Sequence, residues 1–286
     1  MSRLEKALEK ATNMRKEKRE TAKEEKLDSL ANVEVFKTDE PVKIDSPYII
    51  TVTEPESPIS EEYRKLKTLV IKLTQSDRSM NTIMITSAVK GEGKTITTLN
   101  FAITLAQEYD HTVLLVDADL REPSLHEYLG VNPEKGLTDC LVNGTNISDA
   151  LIKTGIGRLV YLPSGNKVSN PVELLSSKLM EEFVKELKNR YPDRYVIFDV
   201  PPVLAFGETH SLGSMVDGVI LVVREGYTSL NHIKEALGRL KNTHIFGVVY
   251  NDVVIDRFDG HYNYYYKNYY PREKRKPDEP DKSFGK

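Results

Sequence analysis

A single cysteine, Cys140, stands among 286 residues, which excludes an internal disulfide framework and every cysteine-based zinc site. The six histidines are scattered without metal-ligand spacing. An excess of one charge is missing too: 40 Lys and Arg against 43 Asp and Glu leave a formal net charge of -3. That balance makes no electrostatic case for nucleic acid, so any anionic ligand has to be held locally. No apolar run approaches the ~20 residues that span a bilayer, and the best one, at 219–223, stops at Arg224. The charged N-terminus lacks the apolar core of a signal peptide, so a cytoplasmic location is expected.

Neither glycine nor proline occurs before Pro41, and 16 of the first 30 residues are charged, nine Lys or Arg and seven Asp or Glu. Leu4, Ala7, Leu8, Ala11 and Met14 share one helical face, so this segment reads either as a short amphipathic helix that needs a partner or as a charged tail. Pro41, Pro47, Pro55 and Pro58 among Ser, Thr and Glu mark 38–59 as an extended linker. A helix is expected over 59–73, starting at Ser60 and Glu61 and burying Tyr63, Leu66, Val70 and Leu73.

From Asn81 onward, short β-branched runs alternate with helical periodicity, the pattern of βαβ units. Strands are expected at 82–86, 113–117, 158–162, 195–199, 218–223 and 245–250. Long helices are expected at 95–108, 171–189 and 230–241, with short ones at 124–128, 137–142 and 208–215. Apolar residues on both parities of the strands predict an α/β fold, a mostly parallel sheet flanked by helices on both faces. The 39% hydrophobic content and the length leave room for one such domain of about 200 to 250 residues with tails, or for two small domains.

Three features carry chemistry. Ser87-Ala88-Val89-Lys90-Gly91-Glu92-Gly93-Lys94-Thr95 follows the first strand and opens a helix, the context of a phosphate-binding loop. Val89, Lys90, Gly91, Glu92, Gly93, Lys94, Thr95 and Ile96 are the expected ATP contacts. The glycines let backbone N–H groups approach a polyphosphate, Lys94 reaches its β and γ groups, and the Thr95 hydroxyl holds Mg²⁺. The first Gly of the usual pattern is replaced, by Ser87 or Ala88 depending on the alignment.

The second feature is a set of strand-end carboxylates, Asp117 and Asp119 after one strand and Asp199 after another, where open α/β sheets bind ligands. Each alone could merely cap the next helix. Together with Gly-Lys-Thr they suit Mg²⁺, held by Thr95, Asp119 and Asp199, and an acceptor hydroxyl that must lose a proton. Lys94, Asp117, Asp119 and Asp199 are therefore the catalytic candidates. Asp117 is the candidate for orienting the acceptor, with its task not separable from that of Asp119.

The third is the run 261–270, where six of the 15 tyrosines, Tyr262, Tyr264, Tyr265, Tyr266, Tyr269 and Tyr270, fall within nine residues. It reads as an exposed, mobile set of phenol acceptors for the chain's own ATP site. The other readings are an aromatic packing patch and a stacking platform for single-stranded nucleic acid, which the absence of Arg among the tyrosines disfavours.

These motifs resemble the bacterial tyrosine kinases of polysaccharide synthesis and export, especially the autokinases associated with exosortase systems, within the MinD/ParA-like superfamily of P-loop ATPases. The similarity covers 61–270 and the opening Ser2-Arg3-Leu4-Glu5-Lys6-Ala7-Leu8-Glu9-Lys10-Ala11. Residues 87–95 match the family's Walker A, Asp117-Ala118-Asp119 its Walker A′ and Asp199-Val200-Pro201-Pro202 its Walker B. Leu162-Pro163-Ser164-Gly165 and Asn170-Pro171-Val172-Glu173-Leu174-Leu175 match a segment that generic ATPases lack. The resemblance implies a kinase domain at 59–255 between an N-terminal segment with linker at 1–58 and a tyrosine-rich tail at 256–286. It implies ATP and Mg²⁺ as cofactors, Asn251 as an adenine contact, and autophosphorylation in trans within a ring-like homo-oligomer, an octamer. It also implies a separate membrane chain-length determinant as activator, a cognate tyrosine phosphatase, no nucleic acid, and a place at the inner face of the membrane through that partner.

Two departures stand out. Lys90 sits where the family often has Pro, and the oligomerisation motif E-x-x-R-x-x-R appears as Glu61, Arg64 and Lys67. Lysine lacks the planar fork for bidentate pairing, so a weaker ring is expected. Partition and septum-positioning ATPases carry a signature Lys five residues before the loop Lys. That position is Val89 here, which disfavours the alternative of a non-kinase switch ATPase.

Overall fold

A computed structural model describes residues 46–75, 80–108, 111–190 and 194–253, with Val42 and Ile44 ahead of them. The opening charged segment and the tyrosine run 262–270 lie outside the described residues. Within them the elements run α1 (Ile50–Thr53), α2 (Pro58–Thr74), β1 (Thr82–Ser87), α3 (Lys94–Ala106), β2 (Thr112–Asp117), α4 (Leu125–Leu129), α5 (Leu137–Val142) and α6 (Ile147–Ala150). They continue with β3 (Ile152–Lys153), β4 (Leu159–Leu162), α7 (Pro171–Leu175), α8 (Lys178–Arg190), β5 (Arg194–Asp199), α9 (Glu208–Gly213), β6 (Gly218–Arg224), α10 (Leu230–Arg239) and β7 (Ile245–Asn251).

The strands form one seven-stranded sheet in the order β3-β4-β2-β5-β1-β6-β7. All neighbours are parallel except the short β3, which runs antiparallel to β4. β1, β2 and β4 are buried along their whole length, so both parities carry Ile, Val, Leu or Met, as a sheet covered on both faces requires. One face packs Leu114, Val116, Phe198, Leu221 and Val223 with Val184, Leu212 and Ala236 of α8, α9 and α10 and with Leu240, which caps α10. The other packs Ile83, Ile85, Leu115 and Ile197 with Val70 of α2 and Leu99, Phe101 and Ile103 of α3. Each such fully buried side chain contributes about 1.5–3 kcal/mol.

The expected strands and helices are present, with five differences of physical origin. Helix α2 starts at Pro58, not at Ser60, because Ser57 caps it by accepting from Ser60 N at 3.2 Å and Pro58 needs no amide partner at the first position. Leu73 is 48% exposed, and the buried stripe runs through Val70 to Thr74, whose hydroxyl meets Tyr195 Oη at 2.6 Å. The single helix expected at 171–189 is two: Ser176 ends α7, and Ser177 Oγ accepts from Met180 N at 3.2 Å to start α8. β7 is an edge strand whose Val248 and Tyr250 are exposed, so helical cover does not reach every strand. Three short elements, α1, α6 and β3, add to the expected set without altering it.

The fifth difference concerns the linker. Residues 46–57 are not an extended spacer but pack on α3. Ile49 is fully buried, and Asn100, buried in α3, accepts from Thr51 N at 3.1 Å and Thr51 Oγ1 at 2.9 Å. The Asn100 amide donates to Tyr48 O and to Ile96 O, each at 2.9 Å. One side chain thus bonds four polar groups, tying the segment 46–57 to α3. Asn100→Ala is expected to lower stability by about 2–4 kcal/mol. Thermal unfolding checks this, and limited proteolysis should then cut first within 46–57.

Candidate active site

Three adjacent strands, β2, β5 and β1, deliver the chemistry to one edge. Asp117 and Asp199 are direct partners in the β2–β5 register, and Asp199 pairs with Ile85 of β1, two residues before the phosphate loop. Neighbouring parallel strands lie about 4.8 Å apart, so the register brings the two carboxylates side by side. Asp117 is fully buried, Asp199 is 1% exposed and Asp119 4%.

Lys94, the first residue of α3, reaches into this cluster. Its ammonium lies 2.8 Å from Asp119 Oδ2 and 3.4 Å from Asp199 Oδ2, and it donates to Thr95 Oγ1 at 3.0 Å. Thr95 Oγ1 donates to Asp199 Oδ2 at 2.8 Å, and Thr98 Oγ1 to Asp199 Oδ1 at 3.1 Å. Asp117 accepts from Asp119 N at 3.3 Å and from Tyr161 Oη at 3.5 Å.

The charges follow from this packing. Burial would lower the Lys94 pKa, but Asp199 and then Asp119 override it, and the net direction is up, so the ammonium holds its proton. Burial and then the neighbouring Asp199 push Asp117 well above the usual carboxylate range, against the opposing pull of Lys94. Asp199 is also raised, by burial first, though Lys94, Thr95 and Thr98 restrain the shift. Tyr161, fully buried, is raised by burial and by the charge of Asp117.

The phosphate loop itself is braced from below. Gly93 has φ of +86° and Gly91 +87°, the left-handed region that glycine adopts without strain. A Cβ on Gly93 would stand 2.1 Å from Asn251 Nδ2, which donates to Glu92 O at 2.8 Å. Glu92 is fully buried. It accepts from Val89 N at 2.6 Å and from the Thr228 hydroxyl. Arg224 pairs with Asp252 at 2.7 Å and reaches Gly91 O at 3.4 Å. Lys90 is exposed and pairs at 2.5 Å with Glu122 in the loop that carries Asp119. Val89 and Ile96 are partly buried at the loop's two ends.

Lys94, Thr95, Asp117, Asp119 and Asp199 therefore converge, with Asn251 touching the loop's backbone. The tyrosines 262–270 lie outside the described residues. Glu61 and Arg64 pair with each other at 2.9 Å along α2, and Lys67 pairs with Glu108, so all three proposed oligomerisation residues have partners within the chain. Reading the sequence missed Thr98, Tyr161, Thr228 and Arg224. It also missed Glu208, fully buried and bound by Arg121 Nε at 2.6 Å. A threonine one turn after Gly-Lys-Thr was the only advance sign of Thr98; the rest come from elements or loops distant in the sequence. The family segment 162–165 has a local reason: Gly165 has φ of +85° and lies against Thr138 and Asp139, where a Cβ would stand 2.5 Å from Thr138 Oγ1.

A parallel sheet with a glycine loop opening a helix, a lysine among strand-end carboxylates and a threonine hydroxyl on one of them defines the class of P-loop nucleotide-binding domains. The chain matches a family model described as "AAA domain" over residues 80–245. It is 39% identical over 220 residues to the tyrosine-protein kinase YwqD of Bacillus subtilis (strain 168), covering 76% of this chain and 90% of that protein. A putative tyrosine-protein kinase CapB of Staphylococcus aureus is 28% identical over 214 residues, covering 74% of this chain and 92% of that protein. The kinase domain of the Escherichia coli tyrosine kinase ETK superposes with a TM-score of 0.68 at 28% identity, covering 76% of this chain and 84% of that one. The chain belongs to the bacterial tyrosine-protein kinases and is an enzyme of that type, which displaces the non-kinase switch ATPase. Among the described residues no helix is long and apolar enough to cross a membrane.

Asp117 concentrates negative charge without an ammonium of its own. Asp117→Asn should therefore raise the melting temperature by about 2–4 °C while cutting phosphotransfer by roughly 100-fold. The native pKa lies above the unfolded one, so the cost of burying the carboxylate is fully present above the native value, declines as pH falls through it and vanishes only below the unfolded value. The stability gain should accordingly be larger at pH 8 than at pH 5, measured by calorimetry.

Proposed function

We propose that this kinase transfers the γ-phosphoryl group of ATP to the tyrosines of its own C-terminal cluster, Tyr262, Tyr264, Tyr265, Tyr266, Tyr269 and Tyr270, in trans within a homo-oligomer. The observation that carries the reading is Lys94 poised between Asp119 and Asp199 at the mouth of a glycine loop. In the loop, the amides from Lys90 onward and Lys94 would bind the phosphates and stabilise charge on the group in transfer, whereas the Val89 amide, expected as an ATP contact, is already given to the Glu92 carboxylate. Asn251 would stand near the adenine.

For Mg²⁺ the donor set fits in kind. Among the described residues no three His, Cys, Asp or Glu side chains cluster to hold a metal alone. Mg²⁺ is typically held by one or two carboxylates, substrate phosphates and waters, and Thr95, Asp119 and Asp199 offer hard oxygens around a cation already in place, the Lys94 ammonium. When bound, Mg²⁺ would neutralise charge on the phosphate oxygens. Asp117 would orient the acceptor phenol and take its proton, a task eased by its raised pKa, since a phenol near pKa 10 is almost fully protonated at neutral pH.

Each phosphate adds about -1.5 to -2 charges, so several on one tail would repel and drive a ring apart. Glu61, Arg64 and Lys67 would contribute to that ring, an octamer, by exchanging their present partners for those of a neighbour. The cycle between assembled and phosphorylated states would regulate exopolysaccharide or capsule polymerisation and export. A separate membrane-bound chain-length determinant would activate the kinase and hold it at the inner membrane face, and a cognate phosphatase would reset it. The sequence resemblance supports these partners.

Mass spectrometry of the full chain with Mg-ATP, with and without the partner's cytoplasmic segment, tests the proposal. Phosphate is expected on 262–270 and absent in Lys94→Met. ATP hydrolysis with no phosphate on any tail tyrosine would falsify autophosphorylation.

A further inference from the structure

Glu208, at the start of α9, is a fully buried acid outside the ion cluster at the sheet edge. Its Oε1 accepts from Arg121 Nε at 2.6 Å, while its Oε2 is buried without a hydrogen-bond partner among the described residues. A carboxylate with one oxygen left unsatisfied costs stability, because water is lost there and nothing replaces it. Well-packed apolar side chains in place of such a buried pair are often neutral or stabilising, so the pair points to a role other than stability.

The pair joins the two segments that carry the catalytic acids. Arg121 stands two residues after Asp119 in the loop that follows β2, and Glu208 ends the turn that follows Asp199 and β5. That turn is fixed to the strand and loop beside it. Val203 N donates to Ser87 O at 2.8 Å and Leu204 N to Ala88 O at 3.2 Å, and the hydroxyls of Thr86 and Thr209 donate to Pro201 O at 2.8 and 2.9 Å. Glu208 is therefore a rigid anchor. On the other side, the Arg121 guanidinium lies over the Phe206 ring, 4.2 Å from its centroid, a stacking contact that fixes the plane of the fork while Nε meets Glu208.

Asp119 needs such an anchor because its other ties are weak or conditional. Ala118 N donates to Asp199 O at 2.9 Å, and the pairing of β2 with β5 ends there, one residue short of Asp119. Leu120 is buried, but apolar burial is non-directional and does not aim a carboxylate. Asp119 Oδ1 accepts from Glu122 N at 3.1 Å, a contact within the loop itself. Lys90 and Glu122 pair across solvent, with side chains 76% and 62% exposed, and such pairs contribute little. Lys94 holds Asp119 Oδ2 at 2.8 Å, yet an ammonium that meets phosphate gives up that contact. We propose that Glu208 is a positioning residue for phosphotransfer, holding Asp119 in place through Arg121 once Lys94 has turned to the nucleotide. The inference rests on the reading that Lys94 meets the phosphates, and it names what keeps the site assembled when it does.

The test uses the full chain with Glu208→Gln, Arg121→Met and the double variant, which removes both charges and so leaves none stranded in the core. In each, kcat for tyrosine phosphorylation should fall roughly 10- to 100-fold, the effect of a misplaced catalytic group, while the KM for ATP stays within about twofold. The double variant should be no slower than the slower single one, because the two side chains act as a unit. Hydrogen exchange over 118–122 reads the same contact without turnover. With Mg²⁺ and the non-hydrolysable analogue adenylyl imidodiphosphate, exchange should be about fivefold or more faster in the variants than in wild type, and close to wild type without nucleotide, where Lys94 still holds Asp119. Unchanged kcat in Glu208→Gln and in the double variant would overturn the proposal. So would exchange that rises equally with and without nucleotide, the mark of a purely structural tie. If Lys94→Met binds the analogue as tightly as wild type, Lys94 does not meet phosphate and the premise fails, a result distinct from any in the other variants.

Discussion

The structure turns on one ion cluster. Three carboxylates from two adjacent strands and the loop after one of them are buried at a single sheet edge, and among the described residues Lys94 is the only ammonium paired with them. Removing a charge from water is expensive unless it is paired. Lys94 meets Asp119 at a full ion-pair distance and Asp199 at a longer one, and two threonine hydroxyls complete the coordination of Asp199. Asp117, left with a backbone amide and a distant phenol, is raised by burial and then by the charge of Asp199. Stability is sacrificed there, in the position where a base for a phenol is useful. The same lysine that balances the cluster is the residue placed to meet phosphate.

Such a cluster keeps its geometry only if the loop below it is rigid. Glu92 does this from inside the loop, with its carboxylate bound to Val89 N and to Thr228 beyond β6, while Asn251 at the end of β7 holds Glu92 O. Arg224 and Asp252 link the same two strands beneath Gly91. The phosphate loop is therefore braced by the two strands on the side of β1 away from the carboxylates, β6 and β7. The catalytic acids come from the opposite side, β2 and β5. β1 stands between, and the sheet order makes it the boundary between phosphate support and proton chemistry.

Much of this was legible beforehand for identifiable reasons. The strands read clearly because a sheet covered on both faces needs continuous apolar runs, and 82–86 and 195–199 have them. The phosphate loop read clearly because its glycines serve backbone conformations that no other residue adopts cheaply. The failures have equally local causes. Residues 46–57 looked like a spacer because prolines mark extended chain, but the burial of Ile49 and the partner of Thr51 lie on a helix some 50 positions away. The split at Ser176 and Ser177 was hidden in a helical periodicity that both helices share. β7 reads as a buried strand by composition, and only its place at the sheet edge leaves Val248 and Tyr250 exposed.

The sequence by itself determined the element types, the glycine loop with its lysine and threonine, and the presence of an acid at each of two strand ends, because these depend on local backbone chemistry and short-range periodicity. Only the tertiary structure decided that β5 lies between β2 and β1, bringing Asp117 and Asp199 into one register. It alone turned Glu92 inward, set Tyr161 beneath Asp117 and placed Tyr48 against Tyr128. Strand order and the meeting of distant side chains are settled by burial of the whole sheet, a free energy summed over residues far apart in the chain, and no window of sequence contains it.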